Sequence, residues 1–428
     1  MKRRLSCFDE AAARTDRFAP FNVVAVLRLA HGPSPRATRQ ALARLQARHP
    51  LLKVRLSGRP GRQSFETTPE SPFLVTEVEK QGDDHWLDVT EKELNLPFET
   101  GRGPLARCVL LLDPAEPQVR EMVITLHHTI VDGVSGANLI HELLVLCQAL
   151  AEGGSASWCT PLELQPPLEE LFPAPFRGPR LMPRMFSFMA RQAADEIRYR
   201  NLTRGGRRPP LHGSGQGRIL PLSLSRTATA KMITRSRKKR VSINSLLSAA
   251  MLMAVHRRLY QGRPTALRNF VFTDLRPYLK PASAKKNLGC HIGMSRFTNP
   301  MGPATEVWGL SRAVQAQVHE SSQRGEVFLN ALTAKRLMAL LIGLKSFRMG
   351  NTALSYNGLP RLDPAYGRTK VVDIRIFISN NILGPEFTGQ AAIWNGRLNL
   401  DLLYLDSDMD QDGAKAISQE MLRLLEDR

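Results

Sequence analysis

Hydrophobic and polar positions alternate along the first third of the chain in a way that predicts strands with single helices between them. Residues 21–29 (FNVVAVLRL) read as a strand, and Ser34-Pro35 as a helix start, with a hydroxyl cap followed by proline at the first helical position. Ala41, Leu42 and Leu45 share one face of that helix until His49-Pro50 forces an exit, and 51–56 resumes as a strand. Two further strands, 104–112 and 121–127, are joined across Asp113-Pro114-Ala115-Glu116-Pro117 and predict a hairpin. The next helix places Leu139, Ile140, Leu143, Leu144, Cys147 and Leu150 on one face and runs to Gly153-Gly154.

The pattern changes over 155–217, where proline, glycine and arginine accumulate, as expected of a crossover between two bodies. Inside it, 182–202 carries Met185, Phe186, Phe188, Met189, Ile197 and Tyr199 among arginines. Packing against its own lobes is the simpler reading of that stretch; contact with a membrane surface or an acyl chain is the alternative. Beyond Ile219 a helix over 243–260, capped by Ser242, is apolar nearly all round and predicts a buried element. A short strand at 270–273 leads into Asp274-Leu275-Arg276-Pro277, and helices return between 306 and 347. Strands come next at 352–356, 371–379 and 398–405, with Asn395-Gly396 as a hairpin turn, and 413–425 is a closing helix. The predicted division is an N-terminal lobe over 1–155, a basic crossover over 156–217 and a C-terminal lobe over 218–428, mixed α/β throughout.

Composition narrows the class. At 428 residues the chain suits two bodies of about 200 residues each. No run approaches the roughly 18 apolar residues of a membrane span, and no apolar segment succeeds the basic start as in a signal peptide. Five scattered cysteines without CxxC spacing argue for reduced thiols, a cytoplasmic setting, and neither a zinc site nor a disulfide framework. Of the net charge of +20, +15 falls within 177–240, where 17 Lys and Arg face two acids. Such a field attracts anionic partners. Nucleic acid is disfavoured, because no aromatic interleaves with Arg235-Ser236-Arg237-Lys238-Lys239-Arg240 as a stacking platform requires; a solvated basic linker stands as the plain alternative.

The candidate chemistry lies where the strand ending at Leu126 gives way to the helix after Gly133. His127 and His128 leave a strand together, and Asp132-Gly133 stand where the helix begins. Two adjacent histidines admit a metal-ligand reading, yet no third ligand has helpful spacing; a buried pair beside a capping aspartate is the structural reading. His127-His128-x-x-x-Asp132-Gly133 matches the HHxxxDG signature, and the sequence resembles the chloramphenicol acetyltransferase and condensation-domain superfamily. LHHTIVDGVSG is closest in look to its stand-alone O-acyltransferases, the wax-ester synthase and polyketide-associated types. Weaker likenesses occur in the family's order: RHPLLKVRL, LPFETGRGPLARCVLL, SINSLLSAAMLMAVHR, TDLRPYL, NLGCHIG and LSYNGL. Two features depart from relatives: there is no DFGWG block, and Val134 stands where modular condensation domains usually carry an aromatic.

That resemblance implies two acetyltransferase-like lobes in a V-shaped pseudo-dimer with a tunnel between them, in a monomer. It implies His128 as a general base facing that cleft, for which an imidazole of ordinary pKa about 6.5 is suited. It gives Asp132 a structural role, paired with an arginine, for which Arg276 in the second lobe is the candidate. Gly133 would admit the thioester arm, amides at the helix start would stabilise an oxyanion, and His127 would pack and hydrogen-bond. His291 would line the tunnel or simply pack in the core. The donor would be acyl-CoA or an acidic acyl carrier protein bearing phosphopantetheine, with no permanently bound cofactor and no metal. The acceptor would be a hydroxyl, with an amine acceptor or a non-catalytic carrier-binding protein as alternatives. Arg237, Lys238, Lys239 and Arg240 then fit an anionic donor. Reversing these four to glutamate is expected to raise donor KM strongly at low salt; unchanged steady-state kinetics would remove the docking role.

Overall fold

The computed structural model describes residues 1–68, 72–115, 118–154, 157–203, 215–280, 286–343, 348–358, 362–380 and 384–426. The last two residues of the 113–117 turn, residues 204–214 of the crossover and the end of LSYNGL lie outside these. The chain divides into two compact units, each with its own mixed sheet. Unit 1 comprises Met1–Leu171, Leu275–His291 and Leu359–Ser379; unit 2 comprises Phe172–Asp274, Ile292–Gly358 and Asn380–Arg428.

Unit 1 is built on a six-stranded sheet in the order Ala365–Tyr366, Thr369–Ile378, Asn22–Ala30, Val119–His127, Ala106–Leu112, Leu74–Glu79. Pairing is antiparallel except between Leu74–Glu79 and Ala106–Leu112. The hairpin expected over 104–127 is present, with Ala106 opposite Leu126. Ser34 caps Pro35–Arg48 through the Ala37 amide at 3.2 Å, and this helix packs on Gly133–Ala151. Gly133–Ala151 is apolar enough, and long enough, to span a bilayer on composition alone. Its buried face (Leu139, Ile140, Leu143, Leu144, Cys147) and the bonds from Arg48 and His49 to Glu142 instead fix it in the core. A second layer comes from His85–Asn95, which contacts the two central strands and puts Trp86 against Phe377.

Three expectations change here. The 51–56 segment is not one strand: Pro50–Lys53 makes a 3-10 turn, because proline at its first position presets a helical φ, and the strand is Val54–Ser57. The strand expected over 371–379 spans Thr369–Ile378 and pairs with Asn22–Ala30, so it belongs to the first sheet. The two units therefore do not respect the contiguous division at 155 and 218: unit 1 takes two segments from the later half, and unit 2 begins inside the crossover. Alternation along a strand sets which face is buried but not which edge it joins.

Unit 2 has a sheet in the order Ile292–Met301, Thr265–Asp274, Thr352–Tyr356, Phe387–Trp394, Arg397–Leu405, Gly217–Leu220. Its central strand, Thr352–Tyr356, is parallel to both neighbours and the rest are antiparallel. Asn395 and Gly396 both take positive φ (47° and 76°), the two-residue turn that matches strand twist. Ile243–Leu259 is buried without interruption from Ser245 to His256, because Val307–Gln323, Gln411–Glu426 and the sheet pack around it. Truncating Leu247→Ala in this helix is expected to cost about 2–5 kcal/mol, read as a lower urea midpoint. An unchanged midpoint would mean that the helix does not carry the unit's core.

Candidate active site

The strand Val119–His127 delivers the two histidines, and backbone hydrogen bonds pin the turn beyond it. His127 N–H donates to the Leu105 carbonyl at 3.0 Å, His128 N–H to Phe21 at 2.9 Å, and Ile130 N–H to His127 at 3.0 Å. The turn then ends at Asp132, which caps Gly133–Ala151. Its carboxylate accepts from the Ser135 amide at 2.8 Å, while its own amide donates to Ser135 Oγ at 3.1 Å. A reciprocal box of this kind satisfies two of the donors that a helix start leaves open. The amides of Gly133 and Val134 belong to partly exposed residues and meet no acceptor among the described residues.

His128 is buried, 3% exposed, with its ring stacked on Phe21 at 4.6 Å between centroids. Its Nδ1 lies 2.9 Å from the Val131 carbonyl oxygen. A carbonyl only accepts, so Nδ1 carries the proton and Nε2 keeps its lone pair. No described group hydrogen-bonds Nε2. Burial is the largest influence on this ring and lowers its pKa below 6.5, outweighing the Val131 bond and the Asp132 charge, which raise it. The imidazole is therefore held neutral, with its basic nitrogen uncommitted.

His127 is arranged differently. Its Nδ1 accepts from the Thr129 amide at 3.2 Å and sits 2.7 Å from Thr129 Oγ1, which leaves the proton on Nε2, 3.2 Å from Asp16 Oδ1. Phe98 meets it edge-on at 6.1 Å. Nδ1 is bonded to Thr129, while Nε2 lies beside Asp16 without a hydrogen bond, so the whole ring is enclosed by the fold.

Asp132 and Arg276 form a two-pronged pair: Nη1 to Oδ2 at 2.9 Å and Nη2 to Oδ1 at 3.0 Å, both side chains buried. Arg276 belongs to unit 1, so the pair closes within one body rather than tying a second lobe to the loop. Burial pushes the Asp132 carboxyl up, but Arg276, His291 and the Ser135 amide outweigh it and leave it below the ordinary carboxylate range. His291 completes the cluster. Its amide donates to Asp132 Oδ2 at 2.7 Å and its Nδ1 accepts from Arg276 at 3.1 Å; burial, then the Arg276 charge, push its pKa down to about 4.

Several contributors escape the sequence. Ser135 donates to the Gly289 carbonyl at 2.9 Å, and Cys290 Sγ lies 3.7 Å from His128 Nδ1. Gly289, at φ 158°, is required by space: a Cβ there would sit 2.5 Å from His291 Cε1. The run Gly289-Cys290-His291 is visible as NLGCHIG, but nothing in its composition ties it to Asp132. Among the described residues no group of three metal-ligating side chains forms. Arg237, Lys238, Lys239 and Arg240 are exposed at the C-terminal end of helix Arg226–Lys238 in unit 2, where cations also suit the helix dipole.

The condensation domain model matches residues 15–159, and the C-terminal model of phthiocerol/phthiodiolone dimycocerosyl transferases matches 214–358. The phosphinothricin tripeptide synthetase PhsC of Streptomyces viridochromogenes is 30% identical over 151 residues, 34% of this chain and 14% of that protein. A phthiocerol/phthiodiolone dimycocerosyl transferase of Mycobacterium ulcerans is 24% identical over 246 residues, 55% of each. The matches thus span about half of that transferase's length and a small part of the synthetase's. In fold, the chain is similar to the trichothecene 15-O-acetyltransferase TRI3 of Fusarium sporotrichioides, with a TM-score of 0.78 at 13% identity over 99% of this chain and 95% of that one.

A double-mutant cycle tests the buried pair. Asp132→Asn keeps a capping side chain but faces a buried guanidinium, and Arg276→Met leaves a buried carboxylate; each is expected to cost about 3–5 kcal/mol. The double variant is expected to lose clearly less than the sum of the two. Strict additivity in urea unfolding would remove the pair as the loop's anchor.

Proposed function

We propose that the chain moves an acyl group from a thioester to a hydroxyl acceptor, with His128 as general base, a reading supported by its matches to the condensation domain model over 15–159 and to the dimycocerosyl transferase C-terminal model over 214–358. The donor in this reading is acyl-CoA or the phosphopantetheine of an acyl carrier protein. The observation that carries it is the bond between His128 Nδ1 and the Val131 carbonyl, which reserves Nε2 for an incoming proton. The acceptor O–H gives that proton to Nε2 as its oxygen attacks the thioester carbonyl. The new C–O bond leaves a negative oxygen, for which the Gly133 and Val134 amides at a helix start are suitable donors. When the C–S bond breaks, the imidazolium returns its proton to the thiolate, giving ester and thiol. No covalent enzyme intermediate is needed.

Each neighbouring group has a role in this scheme. Val131 and Phe21 hold the ring; Asp132, engaged by Arg276, Ser135 and His291, holds the loop and stays out of the proton path. The second reading, amide formation on an amine acceptor, draws on the similarity of one third of the chain to a peptide synthetase. The match of 214–358 to the C-terminal model of transferases named for phthiocerol and phthiodiolone, rather than for an amine, favours the hydroxyl.

The test is thiol release from acyl-CoA and from acylated carrier protein against a panel of alcohols and amines. His128→Ala is expected to lower kcat by about 10²–10⁴-fold. Burial disfavours the imidazolium, so the neutral base persists as pH falls, and the acid limb of kcat/KM is expected below pH 6.5. A His128→Ala enzyme working at the parental rate would end the proposal; turnover with amines alone would replace the ester by the amide.

A further inference from the structure

We propose that helix Leu181–Leu202 is a surface on which the protein docks to an anionic lipid bilayer. The helix is anchored on one side only. Phe188 and Tyr199 are buried, the Arg268 guanidinium lies 3.8 Å from the centroid of the Tyr199 ring, and Asp195 and Glu196 bind Arg268 at 3.1 and 2.7 Å. Both acidic residues of the helix are thereby turned to the body of unit 2.

Large apolar side chains remain outside. Met182, Phe186, Met189 and Ile197 are 68%, 78%, 53% and 61% exposed, and with exposed Ala193 they recur at intervals of three and four. That spacing lines them along one face for about 22 Å. Arginines Arg184, Arg191 and Arg198 recur every seven residues as a second row, with Arg180 immediately before the helix. Arg191 is held by Glu326, whereas Arg180, Arg184 and Arg198 make no ion pair among the described residues. Small residues, Ser187, Ala190 and Ala194, separate the two rows and are also exposed. Near the C-terminal end, Ala194, Ile197, Arg198, Asn201, Leu202 and Pro300 border an open groove of about 510 Å³.

A soluble surface gains nothing from holding a phenylalanine and two methionines in water along one flank of a helix whose other flank carries arginines without a counter-charge among the described residues. A bilayer interface takes both. Acyl chains accept the apolar row without a matched pocket, anionic headgroups pair with the guanidinium row, and the long arginine stems reach from one zone to the other. An acidic protein would satisfy the arginines but leave the apolar row in water, and a second copy of this chain would oppose one basic row to another. The lipid surface is the occupant that answers both rows. This reading is independent of the acyl-transfer chemistry proposed above.

The experiment uses the full chain in co-sedimentation with phosphatidylcholine vesicles, with and without phosphatidylglycerol. The parental protein is expected to pellet with the anionic vesicles and to be released by salt. Met182→Ser combined with Phe186→Ser is expected to weaken binding about tenfold or more. Arg180→Glu, Arg184→Glu and Arg198→Glu together are expected to weaken it about a hundredfold. Thermal melting of each variant, unchanged from the parent, shows that these exposed positions leave the fold intact. A Phe186→Trp variant should shift its emission to the blue on adding anionic vesicles. Absence of pelleting, equal pelleting of the serine variant, or a dimer in light scattering that the serine variant dissolves would each overturn the proposal.

Discussion

One buried carboxylate holds the site together. Asp132 Oδ1 receives the Ser135 amide and an Arg276 nitrogen; Oδ2 receives the other Arg276 nitrogen and the His291 amide. A charge taken this far from water is tolerable only when its lone pairs are all engaged, and a guanidinium is the partner whose fork fits two oxygens at once. Three separate pieces of backbone therefore meet at one residue: the turn after His128, the first turn of Gly133–Ala151, and the segment 275–291. Losing Arg276 leaves the neutral donors to bear an uncompensated charge.

That arrangement also decides what Asp132 does not do. In a serine-protease triad the aspartate bonds the histidine and stabilises its charged form. Here the bond on His128 Nδ1 comes from a neutral carbonyl at Val131, one residue before the aspartate. A neutral acceptor fixes the tautomer and the ring's direction with little stabilisation of the imidazolium, and burial disfavours the charged form further. Such a histidine takes a proton reluctantly and gives it back readily, as the acyl transfer proposed above asks of its base. Asp132 acts on it through position: it holds the chain from which the Val131 carbonyl points.

The parts legible in the sequence are those encoded within one turn or one strand. The all-round apolarity of 243–260 specifies a buried helix, Asn395-Gly396 a hairpin, and Ser34 a cap, because each depends on neighbours a few residues away. The motif is legible for the same reason, since both histidines, Asp132 and Gly133 lie on one loop. What periodicity does not carry is partnership at a distance. Arg276 and the His291 amide reach Asp132 from 144 and 159 residues away, and Thr369–Ile378 finds its sheet edge across most of the chain. Arg276 can be named only through the family pattern, and Phe21 under the His128 ring cannot be named at all, because any apolar residue at a strand entry reads alike. The 51–56 segment misleads for a local reason: its apolar residues fit a strand, and Pro50 overrides them.

These long connections make unit 1 depend on segments far apart in sequence. The segment that matches the condensation domain model, 15–159, contains the whole HHxxxDG motif, yet it lacks Arg276, His291 and the strand Thr369–Ile378. Taken alone it would carry Asp132 without its counter-charge and would leave Asn22–Ala30, apolar at every position but Asn22 and Arg28, as an open sheet edge. Both are costly, the first through desolvation and the second through strand-to-strand association. The motif loop is thus completed only by a segment about 150 residues further along the chain, since the last of its hydrogen-bond partners is His291. Sequence places the motif in the N-terminal third of the chain, but its loop is held in shape by the segment 275–291, and the sheet beneath it is closed on one side by Thr369–Ile378.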